Sequence, residues 1–286
     1  MELTICGGDI RQIYMAHALR QKGYDVRLTL FEKAANEKNE GNTKKAVRGC
    51  DILLLPLPVS RSGKTVNAPF SDTELPVGNL AALLGEGQIV LGGMLPFTLA
   101  EALEEKNIPY FDYYKDETLI TRNAVPTAEG VLGLLIQKTP VTICSSSCLI
   151  TGYGRCGKAI AALLQKNGAA VTVAARSPLA RKEAAENGCA VLSIDELADA
   201  PAPFDAVVNT IPHRVIEKEL LQRLKKETVL VEISSAPFGI DFDSASQLGL
   251  QIIKAASLPG KVSPKTAGEI IADTVDRLIQ QHKEEI

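Results

Sequence analysis

Short runs of consecutive apolar residues alternate with stretches of helical periodicity over the first part of the chain. The apolar runs are LTIC (3–6), VRLTLF (26–31), DILLLP (51–56), IVLGG (89–93) and PYFDYY (109–114), and the helical stretches include IYMAHALRQK and LAEALEEK. Apolar strands separated by helices are typical of a parallel sheet that is covered on both faces. We therefore predict an N-terminal α/β domain of flavodoxin-like type over residues 1–126.

A second series of the same kind follows a helical segment. TAEGVLGLLIQK (127–138) predicts a helix within a linker of residues 127–140. Six further strand-like runs then predict a second α/β domain over residues 141–263. The final segment, PKTAGEIIADTVDRLIQQHK, is amphipathic. It predicts a helix over 264–286 that packs back against the first domain.

A glycine motif opens the second domain and predicts a Rossmann-type dinucleotide site. The motif residues are Gly152, Tyr153, Gly154, Arg155, Cys156 and Gly157. The three glycines allow a tight turn, a close approach of the backbone to a pyrophosphate, and close packing of helix on strand. A helix predicted over 158–166 would point its N-terminus at the phosphates. The alternative is a purely structural strand–helix turn.

The end of the next strand bears on the choice of cofactor. NAD sites place an acid there, about 20 residues after the glycines, for the ribose 2′-hydroxyl. Here the strand ends in Arg176 and Ser177, and no acid occurs before Glu183. Arg176 could pair with a 2′-phosphate and Arg181 could add a second positive charge. We predict NADP, against the alternative that Arg176 is a solvated loop charge.

Three later strand ends are candidates for the rest of the cofactor site, because ligands of open α/β sheets bind at the carboxyl ends of strands. The candidate residues are Asn209, Thr210, Ile211, Pro212, Ser234 and Leu258. The alternative is that these are ordinary turns punctuated by proline and glycine.

The first domain is the candidate for the substrate side of an interdomain cleft. Its turn Gly7-Gly8-Asp9 lacks the spacing of the dinucleotide motif. Ser60, Arg61 and Ser62 follow a strand and could bind a carboxylate. Asn123 and Thr127, near the predicted start of the linker helix, could face the same cleft. The alternative is a solvated loop and a helix cap.

Composition and charge narrow the class of protein. Apolar residues make up 45% and charged residues 23%, and the formal net charge is −3 with no basic block, which argues against a nucleic-acid partner. No apolar stretch approaches the ~20 residues that a membrane span needs. No signal peptide is visible, so we expect a cytoplasmic protein. The six cysteines and three histidines form no metal-binding spacing, and we expect reduced thiols and no metal.

Several motifs together resemble the A-subunit family of dipicolinate synthase over nearly the whole chain. They are ICGGDIRQ, NAVPTAEG, GYGRCGK followed by AARS, NTIP, and LPGKVSPKTAGEII. The resemblance implies a sporulation oxidoreductase of endospore-forming bacteria. It also implies an oligomer that works with the flavoprotein-like B-subunit of the synthase and makes dipicolinate from a hydroxylated tetrahydrodipicolinate or its dihydro product.

The implied substrate is a small dicarboxylate, and the implied reaction is its NADP-dependent oxidation. Its carboxylates need cationic or N–H-rich partners, for which Arg61 is one candidate. Lys265 and Asn123 are the candidates for catalytic groups. Two alternatives stay open: another two-domain NADP-dependent dehydrogenase of a hydroxy or amino acid, and a non-catalytic NADP-binding regulatory protein.

Overall fold

The computed structural model describes residues 1–35, 37–200 and 204–282. Contacts within it divide the chain into two units. The first unit consists of residues 1–123 together with the described residues from 263 onward, and the second consists of residues 124–262. The sequence predicted the end of the first domain three residues later, at residue 126.

Apolar runs of the first unit form five parallel strands. They are β1 (Glu2–Cys6), β2 (Asp25–Thr29), β3 (Ile52–Leu54), β4 (Ile89–Gly92) and β5 (Tyr110–Asp112). Their order in the sheet is β2-β1-β3-β4-β5. This is the flavodoxin-like order, in which the direction of strand addition to the parallel sheet reverses between β1 and β3. The predicted α/β class is confirmed.

Helices cover both faces of this sheet, whose inner strands are apolar and buried. They are α1 (Ile10–Gln21), α2 (Thr43–Arg48), α3 (Val77–Leu83), α4 (Phe97–Glu105) and α11 (Pro264–Gln281). Helix α11 packs on α1 so closely that a Cβ on Gly268 would overlap the carbonyl oxygen of Arg11. The Tyr24 hydroxyl also donates to Asp276 over 2.7 Å. Of the helix predicted over 264–286, residues 283–286 lie outside the described residues.

Helix α5 (Glu117–Lys138) corrects the predicted linker helix, which was expected to begin at Thr127. The prediction rested on the apolar pattern of the segment 127–138 alone. The helix instead begins at Glu117 and continues through Pro126. Asn123 and Thr127 therefore lie inside α5 and not at its N-terminus.

The second unit contains a six-stranded parallel sheet. Its strands are β6 (Ser147–Thr151), β7 (Ala170–Ala174), β8 (Ala190–Leu192), β9 (Ala206–Asn209), β10 (Val229–Glu232) and β11 (Gln251–Lys254). The order β11-β10-β9-β6-β7-β8 is the Rossmann order, read from its far edge. The predicted Rossmann-type domain is confirmed.

The helices of the second unit are α6 (Arg155–Lys166), α7 (Pro178–Glu186), α8 (Lys218–Leu221), α9 (Phe242–Gln247) and α10 (Leu258–Val262). Helix α6 begins three residues before the predicted position, directly at the glycine motif. Helix α10 replaces the turn that was expected after the last strand. Among the described residues, no helix combines the length and apolar character that crossing a membrane requires.

Candidate functional site

The glycine motif follows β6 and has the packing that its sequence predicts. A Cβ on Gly152, whose φ is +92°, would overlap Thr210 Oγ1, and a Cβ on Gly157 would overlap the carbonyl oxygen of Gly152. These two glycines are therefore required by contacts within the protein. A Cβ on Gly154 would meet no atom within 4 Å. The space above Gly154 is open, as a bound pyrophosphate would require.

Gly154 is also the N-cap residue of α6. Because glycine has no side chain, the cap residue supplies no side-chain hydrogen bond to the first turn. The N-terminus of a helix attracts anions through its N–H groups and its dipole. The turn and the first residues of α6 thus have the geometry and the electrostatics of a phosphate site.

Two side chains of the motif pack into the protein. Tyr153 is only 7% exposed, and its hydroxyl accepts a hydrogen bond from Asn187. Burial raises the pKa of the Cys156 thiol, an effect that Arg155 and a hydrogen bond with Thr127 partly offset. The thiol is therefore protonated at neutral pH. Tyr153 and Cys156 offer a ligand their main chain rather than their side chains.

The residues that suggested NADP follow strand β7 in the connection to α7. Arg176 and Ser177 are exposed. Ser177 is the N-cap of α7, where its hydroxyl accepts from Ala180 N. The Arg181 guanidinium donates to the carbonyl oxygens of Ala175 and Arg176, over 2.7 and 2.8 Å. Arg181 therefore holds the backbone at Arg176 in place. The sequence had suggested only that Arg181 adds a second positive charge.

Asn209, at the end of β9, has a side chain that is fully buried and bonded within the protein. Its Oδ1 accepts from Thr151 Oγ1 over 2.6 Å, and its Nδ2 donates to Glu232 Oε1 over 2.7 Å. The same Nδ2 lies 3.3 Å from Ser234 Oγ. Asn209 therefore links three strand ends, and its role in cofactor binding stays a prediction.

The remaining residues of these strand ends lie around the glycine turn. Thr210 Oγ1 donates to the carbonyl oxygen of Thr151 over 2.8 Å. Ile211 lies 3.0 Å from the position of a Cβ on Gly152, and Pro212 is exposed. The segment 210–212 therefore borders the turn that was predicted to hold the pyrophosphate.

Two further predicted site residues are buried. Leu258 belongs to α10, is 5% exposed, and packs on Gly130 of α5, where a Cβ would lie 3.0 Å away. Thr127 is 9% exposed and hydrogen-bonds to the thiol of Cys156. Both side chains pack within the second unit, and their roles in ligand binding stay predictions.

The glycine turn of the first unit is covered by its own chain. Gly7 and Gly8 have φ of +72° and +115°. Gly8 N donates to the carbonyl oxygen of Asn67, and a Cβ on Gly7 would lie 3.0 Å from Val66. The loop after β3 therefore covers this turn, whereas the turn at Gly154 in the second unit is open.

Beside this turn lies a buried polar cluster that sequence reasoning missed. Arg11, 4% exposed, makes two 2.8 Å bonds to the Asp9 carboxylate and one to the carbonyl oxygen of Leu57. Gln12 is fully buried and accepts from Asp9 N. Its Nε2 and the Nδ2 of Asn67 have no hydrogen-bond partner among the described residues. The capping-box spacing of Asp9 and Gln12 was the signal in the sequence.

The predicted carboxylate loop is held mainly by its own hydrogen bonds. Ser60 Oγ donates to the carbonyl oxygen of Thr65 over 2.6 Å, and Ser62 Oγ accepts from Lys64 N over 3.2 Å. Arg61 is exposed, and its Nε lies 3.3 Å from Asn67 Oδ1. Of the three predicted residues, Arg61 is the one whose charge faces solvent.

The two candidate catalytic residues lie in helices. Asn123 is half-buried in α5, and Lys265 is exposed at the start of α11 with its ammonium 3.9 Å from Glu269. Their catalytic roles stay predictions. No group of three potential metal ligands occurs within the part of the chain that the structure describes.

Two family models match the chain. Residues 2–114 match the N-terminal domain of the dipicolinate synthase A-subunit, and residues 123–281 match the S-adenosyl-L-homocysteine hydrolase NAD binding domain. The dipicolinate synthase A-subunit of Bacillus subtilis (strain 168) is 27% identical, over 98% of this chain and 96% of that protein.

Two solved structures are similar over the full length. The dipicolinate synthase A-subunit from Bacillus halodurans superposes with a TM-score of 0.89 at 27% identity, covering 97% of each chain. The dipicolinate synthase A-subunit from Bacillus subtilis gives a TM-score of 0.88 at 26% identity, covering 100% of this chain and 98% of that one. Residues 123–281 thus belong to the S-adenosyl-L-homocysteine hydrolase NAD-binding domain family, and the chain as a whole belongs to the A-subunit family of dipicolinate synthase.

Proposed function

We propose that this chain is the dehydrogenase component of a dipicolinate synthase and oxidises dihydrodipicolinate to dipicolinate with NADP⁺. The observation that carries the proposal is the open turn at Gly154, followed by a strand end that presents Arg176 and no acid. Family membership supports a nicotinamide cofactor, and the preference for NADP rests on Arg176 and Ser177.

The residues of the second unit have separate tasks in this proposal. The main chain of residues 152–157 and the N-terminus of α6 hold the pyrophosphate, because both concentrate N–H groups and positive potential. Arg176 pairs with the 2′-phosphate, and Arg181 holds the Arg176 backbone in place. An acid at the position of Arg176 would instead repel that phosphate.

The reaction needs a hydride acceptor, which NADP⁺ supplies when it is bound. Oxidation removes a hydride from a ring carbon of the dihydropyridine and releases one proton to solvent. The products are pyridine-2,6-dicarboxylate, NADPH and H⁺. Aromatisation supplies driving force, so the main task of the protein is to hold the donor carbon in position, which can be worth effective molarities of roughly 10⁵–10⁸ M. Arg61 binds a substrate carboxylate in this scheme.

We further propose that the chain is a cytoplasmic protein of sporulating cells. It forms an oligomer and acts with the flavoprotein-like B-subunit of the synthase. The similar proteins from Bacillus are named as one component of a synthase, which supports a partner of this kind. Co-elution of the full chain with that partner in size-exclusion chromatography is the expected result, and separate elution at all concentrations would contradict a stable complex.

The test of the reaction is absorbance at 340 nm with dihydrodipicolinate and either NADP⁺ or NAD⁺, using the full chain with and without the B-subunit. Formation of NADPH supports the proposal. Turnover of a hydroxy acid or amino acid, but not of dihydrodipicolinate, would favour another dehydrogenase of the same design. Cofactor binding without turnover, with the B-subunit present, would favour a regulatory protein.

A further inference from the structure

A buried carboxylate lies at the end of β10. Glu232 is 1% exposed and accepts four hydrogen bonds from neutral donors. Its Oε1 accepts from Asn209 Nδ2 and Ser234 N over 2.7 and 2.9 Å. Its Oε2 accepts from Gly239 N and Ile240 N over 2.8 and 3.2 Å. No arginine, lysine or histidine among the described residues forms an ion pair with it.

An ionised carboxylate is the side chain that suits these four donors. A glutamine would turn its own NH₂ group toward N–H donors on one side, whereas a carboxylate accepts on both sides. Burial of a charge is costly, and four hydrogen bonds compensate it only in part. The site therefore holds a negative charge with no counter-charge bonded to it.

The position of Glu232 in the sheet connects it to the glycine motif. The strand register pairs Glu232 with Asn209 and Asn209 with Thr151, which directly precedes Gly152. The side chains follow the same line, because Asn209 bonds to both Thr151 and Glu232. One network thus ties together the ends of β6, β9 and β10.

In a sheet with this strand order, each half of the sheet binds one of the two nucleotides of a dinucleotide. The half formed by β6, β7 and β8 carries Arg176 and serves the adenosine side. The half formed by β9, β10 and β11 is left for the nicotinamide side, and Glu232 belongs to this half. A nicotinamide ring is positively charged when oxidised and neutral when reduced.

We infer that Glu232 is a positioning residue whose buried charge makes the chain bind the oxidised dinucleotide more tightly, relative to the reduced form, than a neutral residue would. The inference rests on the proposed function, because it requires a bound nicotinamide. In a medium with an effective dielectric constant of about 20, a unit charge within about 10 Å of another changes the affinity for it by roughly tenfold or more.

The experiment measures dissociation constants of NADP⁺ and NADPH, without substrate, for the full chain and for Glu232→Gln. We expect the ratio of the NADP⁺ constant to the NADPH constant to rise roughly tenfold in the variant. The matched control is Thr228→Val, which removes a buried hydrogen bond to the Phe204 carbonyl just before the same strand. This control is expected to lower stability and to leave the ratio unchanged.

Glu232→Asp keeps the charge on a shorter side chain, so it is expected to weaken the binding of NADP⁺ and NADPH alike. This variant decides the matter if Glu232→Gln does not fold, since a tenfold change of the ratio in Glu232→Asp would contradict the inference. Equal weakening of both forms in Glu232→Gln would overturn the inference alone. Failure of the unchanged protein to bind any nicotinamide dinucleotide would instead overturn the proposed function, and the inference with it.

Discussion

The carbonyl oxygen of Gly152 occupies the space in which a side chain on Gly157 would begin. The contact joins the start of the turn after β6 to the first turn of α6, so the two elements can approach only if residue 157 is glycine. It is the close packing of helix on strand that the third glycine of the motif was predicted to allow.

Gly157→Ala is therefore expected to force the helix away from the turn. We expect a loss of stability of about 1–3 kcal/mol, as for other overpacked sites, and a loss of at least tenfold in cofactor affinity. Urea unfolding and dinucleotide titration measure the two effects. Gly133→Ala in α5 is the matched control, because a Cβ there meets no atom within 4 Å. This control is expected to be stabilising by up to about 1 kcal/mol; equal effects of the two substitutions would contradict the packing argument.

Arg176→Ala tests the choice of cofactor. We expect NADP⁺ binding to weaken tenfold or more and NAD⁺ binding to change less than twofold, because only NADP⁺ carries the 2′-phosphate. The control is Lys182→Ala, which removes an exposed charge from the following helix, α7, where Lys182 pairs with Glu186. Parallel losses for both dinucleotides in Arg176→Ala would rule out the 2′-phosphate role.

Arg61→Ala tests the carboxylate site of the first unit. We expect KM for dihydrodipicolinate to rise and NADP⁺ affinity to stay unchanged, because the charge of Arg61 is assigned to the substrate. Lys64→Ala removes another exposed charge from the same loop and serves as the control. An unchanged KM in Arg61→Ala would move the carboxylate site to other residues.

Arg11→Met tests the buried polar cluster. The substitution leaves Asp9 without its two charged hydrogen bonds and the Leu57 carbonyl without its donor. We expect a loss of about 2–3 kcal/mol in the free energy of unfolding, measured in urea. Lys33→Met breaks an exposed ion pair with Asp72 and should cost about 0.5 kcal/mol or less. Similar losses in the two variants would show that the cluster is not a stabilising element.

Stability is expected to fall in alkaline solution because of a buried thiol. Burial raises the pKa of Cys6 to about 12, with smaller contributions from Cys50 and Glu32. The unfolded chain releases this proton near pH 8.5, so above that pH the unfolded state binds fewer protons than the folded state. The free energy of unfolding then decreases as the pH rises toward 12, by up to about 1.4 kcal/mol per pH unit.

Cys6→Ala removes this contribution, and unfolding at pH 8 and pH 10.5 under reducing conditions measures it. We expect a smaller fall between the two pH values in Cys6→Ala than in the unchanged chain. Cys144→Ala, at an exposed thiol, is expected to keep the full fall. The same pH dependence in Cys6→Ala and in the unchanged chain would contradict the assignment.

Local patterns predicted the strands and the glycine turn because their signals lie within a few residues. The apolar runs identified every strand of both sheets, and the spacing of Gly152, Gly154 and Gly157 identified the turn. Distant contacts decided the rest. Asn209 was predicted from its place at a strand end, and the register shows that it also lies between Thr151 and Glu232. The linker helix was predicted to begin at Thr127, although α5 begins at Glu117.

The covered turn at Gly7 and Gly8 has a consequence for the stoichiometry of binding. Both units contain a parallel sheet with a glycine turn after the first strand, yet Val66 and Asn67 contact the turn of the first unit, whereas a Cβ on Gly154 in the second would meet no atom within 4 Å. Of these two described turns, the one at Gly154 is therefore open to a phosphate and the other is covered. A calorimetric titration of the full chain is expected to reach saturation at one dinucleotide per polypeptide, with no second, weaker class of sites.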